Sequence, residues 1–178
     1  MTEVVSSFDA IVNADTQVLV VGSMPGTASL EAVQYYAHPR NAFWPIMSHL
    51  FEFDAELPYT ERCEILQRNG VGLWDTLRAC VRPGSLDSAI VESSIEANDF
   101  AGLLREYPSI QAIFFNGAKS EQVFKRHVLP LLASSVFAGF DEITRGRLPS
   151  TSPANAGTSF ADKLAAWQVV RAAIHPCR

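Results

Sequence analysis

The side chains best equipped for chemistry in this 178-residue chain gather in a few short polar segments. Gly22-Ser23-Met24-Pro25-Gly26 offers backbone amides and a hydroxyl, and His38-Pro39-Arg40-Asn41 offers an imidazole, a guanidinium and an amide. Asp75 follows Trp74, Asn116 precedes Gly117, and Ser150-Thr151-Ser152-Pro153-Ala154-Asn155 adds hydroxyls and another amide. Ser23, His38 and Asp75 are the residue types of a nucleophilic triad, yet the Gly-x-Ser-x-Gly elbow that presents such a serine on an α/β sheet is absent. A phosphate cradle in a non-catalytic nucleotide-binding protein is a second reading of the glycine loop, but neither GxxxxGK[ST] nor GxGxxG is present. Asn41 suits a helix N-terminus as well as a site. An ionised Asp75 offers only acceptors and so matches a partner that presents an N–H. Asn116 can either supply an amide to a ligand edge or orient the loops around it.

These segments must be positioned by the elements that precede them. Residues 17–21 form a β-branched apolar run that ends in Gly22, the pattern of a buried central strand. Residues 71–74 and 110–115 read as two more strands, and 142–148 as a weaker fourth. Between them, apolar residues recur at helical spacing over 42–53, 60–69, 96–107, 118–129 and 159–174, with Pro45 in a first turn and Gly70, Pro108 and Pro130 as stops. The stretch after Trp74, through Arg82, Pro83 and Gly84, reads as a polar loop. Alternation of this kind predicts a three-layer α/β/α fold with a central four-stranded parallel sheet in one domain spanning 1–178. Ligands of such sheets bind beyond the C-terminal strand ends, and every polar segment above falls there.

The GSMPG loop, followed by His38-Pro39-Arg40-Asn41-Ala42-Phe43-Trp44 and later by Thr151-Ser152-Pro153-Ala154-Asn155, resembles the motifs of the uracil-DNA glycosylase superfamily. Within it, the chain is most similar to the hypoxanthine-DNA, or deoxyinosine, glycosylases. Met24 stands where uracil-removing members place an Asp or Asn that handles water, and Ser150 stands where a His is common; the deoxyinosine branch resembles this chain in both respects. The resemblance implies base excision repair of DNA containing a deaminated base, with Asn41 catalytic. It implies a base pocket formed by residues 22–26, Tyr36, Phe43, Trp74, Asp75, Asn116, Ser150, Ser152 and Asn155, with Tyr36 stacked on the base. Arg40, Arg147, Pro153 and Ala154 are then expected against the DNA. Uracil and G:U or G:T mismatches are the alternative lesions. Breaking an N-glycosidic bond builds positive charge on the sugar and negative charge on the base, and preorganised donors in a dry pocket stabilise the latter. Asn41 can hold an attacking water through its carbonyl oxygen, although it cannot be a strong base.

Bulk properties set further expectations. A chain of this length, 48% hydrophobic, can bury about two-thirds of its unfolded surface. Its apolar runs are short of the roughly 20 residues needed to span a membrane, and residues 1–15 lack the basic start and apolar core of a secretory leader. A monomer in the cytoplasm is expected. Cys63, Cys80 and Cys177 are an odd number without CxxC spacing, so neither a disulfide framework nor a metal site is indicated, and no cofactor is expected. A net charge of −5 sits awkwardly with phosphate binding, leaving Arg40, Arg78, Arg82, Lys119, Arg145 and Arg147 as candidates for a local basic patch.

Overall fold

A computed structural model describes residues 4–134 and 139–175. Cys177 and the first three residues of the stretch read for a leader lie outside the described residues. The main sheet contains β2 (Val18–Gly22), β3 (Val71–Asp75), β6 (Ala112–Asn116) and β7 (Thr144–Leu148) in the order β3-β2-β6-β7. Every pairing is parallel. The expected four-stranded parallel sheet is therefore present, with helices on both faces.

Strand alternation assigns the two faces. Val18, Val20, Val71, Leu73 and Phe114 pack with α2 (Phe43–Phe51), α3 (Tyr59–Arg68) and α7 (Phe160–Ala172). Leu19, Val21, Trp74, Ile113 and Phe115 pack on the other side, against α4 (Phe100–Glu106) and the helical stretch that follows β6. β2 is buried at every position, which is why its sequence is an unbroken apolar run. β7 is the edge, and its exposed Thr144, Arg145 and Arg147 discourage further strand pairing.

The chain passes from β2 to β3 on one side and later to β6 on the other. This reversal opens a crevice at the C-terminal ends of β2 and β6, the place where open α/β sheets bind ligands.

Three elements depart from expectation. Leu77–Val81, read as polar loop, is β4, the centre of a small antiparallel sheet with β1 (Val4–Ser6) and β5 (Glu96–Ala97). Its Leu-Arg-Ala-Cys-Val sequence has little β-branched character, and its partners are too short to show a period. The helix expected from residue 96 begins at Phe100, because Asp99 accepts from Gly102 N–H at 2.9 Å and caps it. Finally, Pro130 does not end the helix after β6. α5 (Ala118–Val123) widens into a π turn at Phe124–Val128 and resumes as α6 (Leu129–Ser134). The widening falls where the carbonyl of Arg126 would otherwise meet the proline ring.

Gly72 in β3 lies against the segment that crosses the sheet at Ile11, and a Cβ there would stand 2.8 Å from Val12 Cγ1 and 3.0 Å from the Ile11 carbonyl oxygen. Gly72→Ala is expected to destabilise the fold by about 1–3 kcal/mol through overpacking, measured as a lower urea midpoint with unchanged m-value.

Candidate active site

A cavity of about 420 Å³ opens at the strand ends. Residues 22–26 form one wall, and Tyr36, His38 and Asn41 a second; Asp75, Asn116, Ser150 and residues 152–155 complete it. Phe43 and Trp74, both expected in the pocket, do not reach its wall. Phe43 is fully buried behind Tyr36, the two rings stacked at 3.9 Å. Trp74 lies on the opposite face of the sheet from Asp75, against Phe100, as alternation along β3 requires. Arg40 is exposed outside the cavity, and Arg147 pairs with Glu121 at 3.6 Å.

The first loop is held from outside by residues that the sequence marked differently or not at all. Arg82, considered for phosphate binding, is 4% exposed and donates to the carbonyls of Pro25 at 2.5 Å, Gly84 at 2.9 Å and Met24 at 3.5 Å. Ser85 accepts from Thr27 N–H at 2.8 Å, and Ser23 Oγ donates to Asp87 at 2.7 Å. Asp87, Ser85 and Leu86 thereby join the cavity wall. No local motif announces them, since they meet the glycine loop only through the turn after β4. Ser23 is thus committed to Asp87, and His38 Nδ1 accepts from Arg40 N–H at 3.1 Å, so no Ser–His–Asp triad is assembled.

Thr151 joins the remaining walls. Its N–H donates to Asn116 Oδ1 at 2.9 Å, its Oγ1 accepts from Asn116 Nδ2 at 2.8 Å, and its carbonyl accepts from Ala42 N–H at 2.9 Å. These bonds tie Asn116 to the last loop, and Asn116 also lines the cavity. Lys163, only 6% exposed, reaches from α7 to the Asn155 carbonyl at 2.9 Å, and Trp167 donates to the Pro149 carbonyl at 3.0 Å. Asn41 both lines the cavity and starts α2: its Oδ1 accepts from Phe43 N–H at 2.9 Å. That bond fixes which end of the amide is oxygen and leaves a second lone pair on it.

At the floor, Asp75 is 3% exposed and its Oδ2 is buried without a hydrogen-bond partner. Burial, with the nearby Asp87 acting in the same direction and Arg82 against both, pushes its carboxyl up to about 8. Asp75 is predominantly neutral at pH 7, contrary to the ionised acceptor expected from its residue type, and so can donate as well as accept. Gly22 permits this placement, since a Cβ there would lie 2.5 Å from Asp75 Oδ1. Tyr36 adopts a left-handed backbone, φ 57°, and its buried Oη makes no hydrogen bond of ordinary geometry. Burial and Asp75 both hold the phenol protonated, with the nearby Asn116 amide acting weakly against them. Among the described residues no cluster of three or more His, Cys, Asp or Glu side chains is placed to hold a metal ion, and no helix is long and apolar enough to cross a membrane.

The family model described as the uracil DNA glycosylase superfamily matches residues 10–171. Two curated proteins named hypoxanthine DNA glycosylase are similar to this chain. The one from Methanosarcina acetivorans is 38% identical over 114 residues, 64% of this chain and 71% of the relative. The one from Methanosarcina barkeri is 37% identical over the same shares. A solution NMR structure from Methanosarcina acetivorans, described as a candidate uracil DNA glycosylase, superposes with a TM-score of 0.74 at 31% identity. The match covers 94% of this chain and 99% of that one.

The Asp75 carboxyl makes stability depend on pH. Its value rises from 3.8 to about 8 on folding, so between those limits the native state holds a proton that the unfolded chain releases. Stability from this group is present at low pH and lost as pH rises through that window. Asp75→Asn should flatten the fall in Tm between about pH 5 and pH 8.5; an equally steep fall in the variant would place the titration elsewhere.

Proposed function

The chain belongs to the uracil DNA glycosylase superfamily, and from that premise we propose that it excises hypoxanthine from DNA by hydrolysing the N-glycosidic bond of a flipped deoxyinosine. The observation that carries the proposal is Asn41. Its amide lines the cavity in a fixed orientation, next to a first loop whose Met24 can neither hold nor activate water. The names of the two Methanosarcina relatives support hypoxanthine as the lesion.

A base inside a duplex is out of reach of such a cavity and must turn out of the stack, where it is read by its edge and its faces. In this reading Tyr36 borders the base with Phe43 supporting it from behind, and Asp75 meets the base edge. Asn41 holds a water against C1′ with the free lone pair of Oδ1. The backbone amides of the glycine loop face the charge that develops on the base. Pro153 and Ala154, on the cavity rim, lie against the DNA, with Arg40 and Arg147 beside phosphates. Backbone contacts of this kind position a duplex without a strongly basic protein. The reading includes one catalytic domain acting as a monomer in the cytoplasm.

Water alone serves as nucleophile in this proposal. Lys119 is paired with Glu92 at 2.6 Å, and Lys163 is held by the Asn155 carbonyl. Borohydride added to protein and lesion DNA should trap no covalent adduct; a trapped adduct would require a lysine nucleophile instead.

The test is a nicking assay, after alkali, on oligonucleotides carrying hypoxanthine, uracil or xanthine. Hypoxanthine strands are expected to be cut fastest, and cutting confined to uracil would reassign the lesion. Asn41→Ala should lower excision by about 100-fold or more while DNA binding persists. The lost bond from Phe43 N–H should cost only about 1 kcal/mol, visible as a modest Tm shift, so turnover and folding are scored apart.

A further inference from the structure

Asp75 lines the cavity and takes no part in the water-holding role of Asn41. It arrives there by register: Gly22 pairs with Asp75 across β2 and β3, and the absent Cβ of Gly22 lets the carboxyl sit against the strand end. Its Oδ2 is fully buried without a partner. Arg82 bears on it by charge alone, while its guanidinium donates to the carbonyls of Met24, Pro25 and Gly84. The other groups facing it are Asp87 from the turn after β4 and the phenols of Tyr35 and Tyr36 from the segment before α2. Two carboxyls and two phenols surround a site where a departing base accumulates negative charge. Such a site stabilises that charge only if one of these groups gives up a proton or shares one. Ser150, where an imidazole donor is common in the superfamily, can share a hydrogen bond but is too weak an acid to give up its proton.

We propose that Asp75 is the general acid of the reaction, protonating N7 of the departing purine as the bond to the sugar breaks. This rests on the excision reading above. As the C1′–N9 bond breaks, its electron pair passes into the purine and the proton moves from the Asp75 carboxyl to N7, so hypoxanthine leaves as its neutral N7–H tautomer. The water at Asn41 adds its oxygen to C1′ and releases one proton, which returns through solvent to the Asp75 carboxylate. The acid is poised for this because burial keeps it protonated at neutral pH, near the value at which a proton donor is most effective. Tyr36 Oη, the other unpartnered atom, stays protonated to much higher pH and contributes a hydrogen bond without pH dependence.

The test compares single-turnover excision of deoxyinosine and 7-deaza-deoxyinosine by the wild type and Asp75→Asn from about pH 6 to pH 9.5. The 7-deaza base keeps the N1–H and O6 edge but cannot accept a proton at position 7. On deoxyinosine the wild type should exceed the variant by about 10²- to 10⁴-fold at pH 6.5, and this advantage should shrink about tenfold per pH unit above about pH 8. On the 7-deaza base the wild-type advantage should be at least about tenfold smaller and should not change with pH. Equal wild-type advantage on both bases, or an advantage independent of pH, overturns the acid role and leaves Asp75 as a reader of the base edge. If the variant fails to fold, the wild type alone decides: its ratio of deoxyinosine to 7-deaza rates must fall above pH 8, and a constant ratio overturns the proposal. Absence of cutting at deoxyinosine at every pH removes the excision reading itself.

Discussion

One close approach organises the site: the parallel register that sets Gly22 beside Asp75 at the ends of β2 and β3. Only a residue without a side chain leaves room for a carboxyl at that point, because a Cβ would come within 2.5 Å of Asp75 Oδ1. Once there, the carboxyl is only 3% exposed, and desolvation disfavours its charged form. Two further consequences follow from the same geometry. Thr76 N–H bonds the Gly22 carbonyl at 2.8 Å, and Ser120 Oγ bonds the carbonyls of Val21 and Gly22 at 2.7 and 3.0 Å. The end of β2 is thereby fastened to both of its neighbours, and the glycine loop departs from a rigid point.

The loops beyond the sheet are fixed by hydrogen bonds to carbonyls rather than by ion pairs. Arg82 secures the glycine loop from beneath, and Thr151 links the end of β6, the start of α2 and the last loop through its amide, hydroxyl and carbonyl. The proposed role of Asn41 needs this kind of support, since a small misplacement costs rate steeply. Asn41 stands one residue before Ala42, the N-cap of α2, which has no side-chain cap. Its bond from Phe43 N–H fixes which end of the amide is oxygen. The helix cap that its residue type suggests is therefore replaced by a local turn at the start of α2.

Much of this was legible in the residues. Buried parallel strands are long apolar runs, so β2, β3 and β6 stood out, and the polar segments after them fell on one edge of the sheet. The small antiparallel sheet was not legible, because β1 and β5 have only three and two residues, too few for a period. Site residues followed the same division. Residues carried on the motif loops reached the cavity. Trp74 and Phe43 did not, because alternation and packing decide which way a side chain turns. Asp87 and the burial of Arg82 depend on a turn 60 residues downstream meeting the first loop, which no local pattern encodes. The raised carboxyl of Asp75 is hidden for a related reason: residue type gives a carboxylate, and only its burial pushes the group up.

The account stands most directly on the state of that carboxyl. Carbon-13 NMR of the Asp75 side chain, assigned by comparison with Asp75→Asn, follows its protonation across pH in the folded protein. The structure predicts a carboxyl that remains protonated through pH 6 and titrates with a midpoint near about 8. A midpoint in the ordinary carboxylate range, near 4, would mean that the group is ionised at neutral pH and would contradict the account.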